Sequence, residues 1–230
     1  MLRRGELWIF DMDGTLFDAI SIAENTFRRT FARLREKGFD IPQHISSESI
    51  LKIYGYTHDK IWTTLLERAV THEERELADR ILLEEEVALL RAGQGRLFSD
   101  VADTLAALRN DGATLAVASN GQQGYIEAIL EVNRFRPWFA GVYSAGGYRV
   151  SSKIDLVQIL LREIPHRTAV MVGDRKSDIE AGYDNGLLTI GCTYGLGSGA
   201  EIEKADIKVD RLREILGVKI SDGHERHHSN

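Results

Sequence analysis

Short runs of aliphatic and β-branched residues recur along the chain without polar interruption, at 7–10, 114–118, 168–172 and 187–190. A strand with one wet face alternates apolar and polar residues. Unbroken runs therefore predict strands buried on both faces of a parallel sheet. Residues 141–144 and 207–209 are weaker strand candidates. Amphipathic helical spacing covers 101–110, 125–132, 153–163 and 178–185. This alternation of strand and helix predicts an α/β fold, a doubly wound parallel sheet with helices on its faces. Reactive groups in such sheets gather at the carboxyl ends of the strands, and Asp11, Ser119 and Asp174 each fall at or just past a predicted strand end.

Between about 19 and 92 the strand signal vanishes and only helical patterns remain, at 21–37, 59–70 and 73–90. Because this block follows the first strand and precedes the others, it predicts an all-α domain inserted into the sheet domain. The expected division is a core of 1–18 and 93–220, a helical cap of 19–92 and a polar, frayed tail of 221–230. The turn after Leu16-Phe17-Asp18 and the passage Gly93-Gln94-Gly95 flank the insertion and are expected to act as hinges. Trp62, Leu65 and Leu66, at helical spacing, are assigned to the cap's own packing.

Composition narrows the function. The chain has 230 residues, 43% of them hydrophobic and 28% charged, ordinary values for a globular protein with a full core. A net charge of −6 argues against tracking nucleic acid. No apolar run approaches the roughly 20 residues of a membrane span, and Arg3-Arg4-Gly5-Glu6 running into a strand does not read as a signal peptide. Cys192 is the only cysteine, so no intrachain disulfide forms and a reducing cytoplasm is expected.

The chemistry starts at Asp11-Met12-Asp13-Gly14-Thr15, where a buried strand delivers two carboxylates into a glycine turn. Burial and mutual repulsion make that arrangement costly unless a cation or phosphate-binding charge is close. Ser119, in Ala118-Ser119-Asn120-Gly121, is open to two readings: cap of the following helix, or donor to a phosphate oxygen. Lys153 opens a predicted helix, where the macrodipole disfavours a lysine; it is either solvated or beside an anion. In Gly173-Asp174-Arg175-Lys176-Ser177-Asp178 another strand ends in an acid, with Asp178 at a helix head. Carboxylates at strand ends suit Mg²⁺, which takes oxygen ligands and keeps waters.

Taken in order, these four motifs resemble those of the haloacid dehalogenase (HAD) superfamily, over nearly the whole chain. The resemblance implies a Rossmann-like core of strand order 5-4-1-2-3 with a helical cap after the first strand. It implies Asp11 as nucleophile, Asp13 as general acid and base, and Mg²⁺ held by Asp11, the Asp13 carbonyl and Asp174. Gly14, Thr15, Ser119, Asn120 and Lys153 would bind phosphate, with Asp178 orienting Lys153 or a metal-bound water. An acid at position 13 argues against dehalogenation, whose leaving group needs no proton. Lys52 is read as a substrate contact at most. The segment 191–198 is similar to phosphoglycolate-phosphatase-type and nucleotidase-type members, and residues 50–57 form a loop, turning at Gly55, where related caps hold specificity residues. The expectation is hydrolysis of a small phosphorylated metabolite. A phosphomutase of the β-phosphoglucomutase type is the alternative, followed by a non-catalytic binding protein. His224, His227 and His228 are assigned to the ragged tail rather than to a metal site, and Cys192 to packing. Oligomeric state is not legible.

Overall fold

The computed structural model describes residues 5–42, 46–53, 56 and 58–220, except for the side chains of 47, 51, 52, 58 and 59. The chain runs β1 (Glu6–Phe10), β2 (Phe17–Asp18), α1 (Ile20–Glu36), α2 (Ser47–Ile53), α3 (His58–Leu66), α4 (His72–Arg91), β3 (Arg96–Leu97) and α5 (Val101–Asn110). It continues through β4 (Thr114–Ser119), α6 (Gln123–Val132), β5 (Phe139–Ser144), α7 (Ala145–Tyr148), α8 (Lys153–Glu163), β6 (Thr168–Gly173), α9 (Lys176–Asp184), β7 (Leu188–Cys192) and β8 (Ile207–Val209).

Six strands form one parallel sheet in the order β5-β4-β1-β6-β7-β8. Counting only this sheet's strands, that is the expected 5-4-1-2-3 order read from the opposite edge, with one strand added. The strands lack polar alternation because both faces are covered. Trp8 and Phe10 of β1 pack with Leu105 and Leu108 of α5 and with Ile126 and Ile129 of α6. Leu7 and Ile9 point the other way, into a cluster with Leu156, Val157 and Leu160 of α8 and Ala181 of α9.

Helices α1–α4 assemble around a cluster of their own, with Phe27, Phe31, Ile53, Trp62, Ile81 and Leu82 among its members. Trp62 and Leu65 lie in that cluster and Leu66 packs against it. Residues 50–53 belong to helix α2 rather than to a loop, while Gly55 lies outside the described residues, as does the side chain of Lys52. The flanks of the helical block are paired: Phe17 is in register with Leu97 and Asp18 with Arg96 in an antiparallel ribbon. The Arg96 guanidinium meets the Asp18 carboxylate at 2.8 Å. Two residues per strand were too few to give a periodic signal.

Several boundaries move by one or two residues. Strand β4 runs on to Ser119, which makes that residue part of the strand, and β6 runs to Gly173, so Asp174 follows it directly. Helix α9 begins at Lys176, not Asp178, which places Asp178 in its first turn. Helix α3 stops at Leu66, four residues early, and Glu67 then takes a left-handed conformation at φ 50°. Residues 221–230, with His224, His227 and His228, lie outside the described residues. Among the described residues no helix is long and apolar enough to cross a membrane.

Candidate active site

The carboxyl edge of the sheet collects the predicted residues. Asp11 follows β1 and anchors its N–H to the Val172 carbonyl of β6 at 2.9 Å. The chain then turns around the Met12 carbonyl, which accepts from the N–H groups of Leu16 and Phe17, both at 2.9 Å. Gly14 makes this turn possible at φ 81°, a left-handed value that a side chain rarely adopts. A Cβ there would also collide with the Asp174 carboxylate.

Lys153 sits at the first position of α8, after the N-cap Ser152, whose hydroxyl accepts from the Asp155 N–H at 3.1 Å. Its side chain is buried and its Nζ lies 2.8 Å from Asp11 Oδ1 and 2.5 Å from Asp178 Oδ1. The lysine is therefore ion-paired, not solvated. Burial pulls its pKa down, but Asp11 and Asp178 together outweigh that and raise it, so it stays charged. Asp178 has no exposure; its second oxygen accepts from the N–H groups of Asp174 at 3.1 Å and Arg175 at 2.9 Å. One carboxylate thus shapes the start of α9 and holds Lys153.

Asp174 is fully buried, with Oδ1 accepting from the Thr15 hydroxyl at 3.1 Å. Its Oδ2 accepts from the N–H groups of Leu196 at 2.7 Å and Gly197 at 3.0 Å. The Gly195-Leu196-Gly197 segment is thus a backbone cradle for this acid. A Cβ at Gly195 would strike the Asp174 side chain, and one at Gly197 its carbonyl.

Asp11, Asp174 and Asp178 are all buried, and one oxygen from each lies within 4.8 Å of the others. Among the described residues only Lys153 is paired to the group, so two formal negative charges remain on the three acids. Asp174 and Asp178 accordingly have raised pKa values, first through burial and then through Asp11. A cluster of hard oxygen donors under that strain fits a divalent cation. The Asp13 side chain stands outside this triad, half-buried, with Oδ1 accepting from the Tyr125 hydroxyl at 2.8 Å. Burial pushes its carboxyl up to about 7, the Tyr125 hydrogen bond opposes that, and Asp11 adds to the rise.

Asp11, Asp13, Ser119, Asn120 and Lys153 line one cavity beneath α1–α4. Ser119 does not cap the next helix, whose N-cap is Gln122; its Oγ accepts from the Gly121 N–H at 3.1 Å. Gly14 and Thr15 are not on the cavity wall. The Gly14 N–H donates to the Phe17 carbonyl at 2.9 Å and the Thr15 hydroxyl to Asp174. Two wall residues, Tyr125 and Glu86, escaped sequence reasoning. Tyr125 reads as one more apolar position of α6, and Glu86 as one more acid in Glu84-Glu85-Glu86. Burial, then Asp13 and Asp79, holds the Glu86 carboxyl well above its usual range.

A buried acid triad with its lysine sits at a parallel sheet's carboxyl edge, with a fourth acid, Asp13, on the same cavity wall, an arrangement suited to a cation and an anionic group. The chain belongs to the haloacid dehalogenase-like hydrolases, whose family model matches residues 8–192, and it is a phosphatase of that family. It is 33% identical over 194 residues to a phosphoglycolate phosphatase of Synechococcus elongatus, covering 81% of this chain and 83% of that one. A phosphoglycolate phosphatase of Vibrio parahaemolyticus is 26% identical over 223 residues, 93% and 95% of the two chains. The fold matches the crystal structure of CbbY from Rhodobacter sphaeroides in complex with phosphate, with a TM-score of 0.77 at 24% identity, covering 91% and 95%.

Proposed function

We propose that this chain hydrolyses the monoester of a small phosphorylated metabolite through a covalent phosphoenzyme on Asp11. The observation that carries the reading is the pairing of Asp11 with Lys153 on the same cavity wall as Asp13. A carboxylate can approach a phosphate dianion only where positive charge offsets their repulsion. Lys153, held to Oδ1 of Asp11, supplies part of that charge and leaves the other oxygen to attack phosphorus. As the P–O ester bond breaks, Asp13 gives its proton to the departing alcohol oxygen. Asp13 then takes a proton from the water that attacks the aspartyl-phosphate, releasing phosphate and restoring Asp11. Ser119 and Asn120, on the same wall, would donate to the phosphoryl oxygens.

The cofactor in this reading is Mg²⁺, held by Asp11, the Asp13 carbonyl and Asp174. When bound it supplies charge neutralisation between nucleophile and phosphate. Asp178 serves by fixing Lys153. Helices within 19–92 act as a cap over a core of 1–18 and 93–220, a division supported by their separate apolar cluster and by the β2/β3 ribbon at the crossing. The cavity as it stands measures about 40 Å³, room for a few water-sized groups. A substrate therefore enters by movement of the cap. The single buried cysteine suits a cytoplasmic enzyme.

Hydrolysis of p-nitrophenyl phosphate with Mg²⁺ and with EDTA tests the reading. Turnover that requires Mg²⁺, and that Asp11→Asn lowers by about 10³-fold or more while the fold is kept, is expected. Folded protein that turns over no ester, or an active Asp11→Asn variant, would overturn it.

A further inference from the structure

Gln122 stands on the cavity wall directly after Ser119-Asn120-Gly121 and is the N-cap residue of α6, yet its side chain makes no capping bond to that helix. Serine, threonine, aspartate and asparagine are the side chains that serve at such a position, so the first turn of α6 forgoes that support. The amide reaches across to the helical block instead, where its Nε2 donates to the Asp79 carbonyl of α4 at 2.8 Å. Helix α4 runs unbroken through Asp79, so one lone pair of that carbonyl serves the helix ladder and Gln122 takes the other. The Asp79 carboxylate is engaged separately, by the Trp62 indole N–H at 2.6 Å.

Helix α4 faces both ways. Ala78, Ile81 and Leu82 belong to the cluster of α1–α4, whereas Leu90 belongs to the core cluster and Leu83 and Val87 pack against it. Leu83 seats on the first turn of α6 so closely that a Cβ at Gly124 would lie 3.2 Å from one of its methyls. Asp79 lies one turn beyond that seat and 12 residues from Arg91, the end of α4 that leads into the β2/β3 ribbon. That is a lever of about 18 Å, on which a swing of about 10° carries Asp79 about 3 Å. Such a swing breaks the Gln122 bond, while the apolar seat nearer the ribbon moves less. Phe27 of α1, Ile61 of α3 and Leu82 and Glu86 of α4 line the cavity together with Asp11 and Asp13, so the position of α4 decides whether the site is covered.

We propose that Gln122 is the catch of the cap: its bond to the Asp79 carbonyl keeps α4 seated over the cavity and sets how fast the site opens to admit substrate and release phosphate. The inference rests on the phosphatase reading above and adds the residue that gates it. The bond joins two parts of the protein, so it weights the closed form by the same factor before and after a ligand enters. Removing it raises the open fraction of both forms alike, by about three- to tenfold for one net hydrogen bond. Entry and exit then quicken together, and affinity stays where it was. A side chain that touched the ligand would behave otherwise, since its loss would speed exit and weaken binding.

The test follows the binding of orthovanadate, a phosphate mimic, to the full chain with Mg²⁺ by stopped-flow tryptophan fluorescence. Trp62, bonded to the Asp79 carboxylate, places an indole at the catch. Gln122→Met keeps most of the side chain's bulk and removes the donor. Its association and dissociation rate constants should both rise by about three- to tenfold, with Kd within about twofold of the unmodified chain. Gln122→Ala carries the same expectation and decides the matter should Gln122→Met fail to fold. Unchanged rates, or faster release with a weakened Kd, overturn the inference alone. A folded, unmodified chain that neither binds orthovanadate nor hydrolyses p-nitrophenyl phosphate overturns the phosphatase reading and this inference with it.

Discussion

The Tyr125 hydroxyl donates to Asp13 Oδ1 at 2.8 Å, so the first turn of α6 restrains a carboxyl 112 residues away in the chain. The bond lowers a pKa that burial raises toward about 7. Tyr125→Phe removes the donor and lets the Asp13 pKa climb further. If Asp13 protonates the leaving group, activity on an alkyl phosphate falls as pH rises through that pKa. The variant's alkaline limb should then move to higher pH, with kcat lower by about tenfold, the effect of one hydrogen bond to a charged group. A pH profile of kcat/KM superimposable on that of the unmodified chain would remove Tyr125 from this role.

Among the described residues Lys153 is the only basic side chain paired to Asp11, Asp174 or Asp178. Lys153→Met keeps the volume of the stem but leaves Asp11 and Asp178 unmatched in a dry site. Breaking a buried pair from one side costs about 3–5 kcal/mol. Denaturant unfolding of the metal-free variant should show a loss of that order. A second substitution, Asp178→Asn, should return part of it by removing one of the stranded charges. A loss under about 1 kcal/mol would mean that water reaches the pair more freely than the structure shows.

What could be read from the sequence follows from how local each signal is. Asp11, Ser119 and Asp174 were legible because an unbroken apolar run ending in a polar residue marks both strand and strand end within a few residues. The sheet order follows from the same runs once the family is recognised. Glu86 and Tyr125 were not legible, since their importance arises only where α4 and α6 come together over Asp13. The β2/β3 ribbon, with two residues in each strand, has too short a pattern to see. The glycines of 191–198 carry only a resemblance in sequence, and their physical task appears once Asp174 is seen to accept from the backbone N–H groups of Leu196 and Gly197.

Metal-free stability should fall as pH rises from about 5 to 8. Asp13 has a folded pKa of about 7, and Asp174 and Asp178 are also raised above their ordinary carboxylate values. Between an unfolded pKa near 4 and that folded value, the native state binds more protons than the unfolded chain. Stability gained by holding those protons is present at low pH and lost as they leave. Glu74, held down to about 2 by Arg68, acts in the opposite sense but only below the ordinary carboxylate pKa, outside this window. Melting in EDTA should therefore give a lower Tm at pH 8 than at pH 5.5, and Mg²⁺ should raise Tm more at pH 8. A flat metal-free profile, or a Mg²⁺ effect larger at pH 5.5, would contradict this account of the triad.

Gly197→Ala probes the cradle directly. The Gly197 N–H donates to Asp174 Oδ2 at 3.0 Å, and an added Cβ would run into the Asp174 carbonyl. Because that neighbour is backbone at the end of β6, relief requires the 195–197 segment to back away, which lengthens the hydrogen bonds from Leu196 and Gly197. Asp174 would then lose donors that orient it as a ligand, and such supporting contacts typically change metal affinity by about 10–100-fold. The Mg²⁺ concentration for half-maximal activity should rise by that factor, with kcat at saturating Mg²⁺ recovering most of its value. Gly199→Ala, where a Cβ meets nothing within 4 Å, is the matched control and should leave the Mg²⁺ dependence in place. An unchanged Mg²⁺ requirement in Gly197→Ala would mean that the cradle does not position Asp174 for the metal.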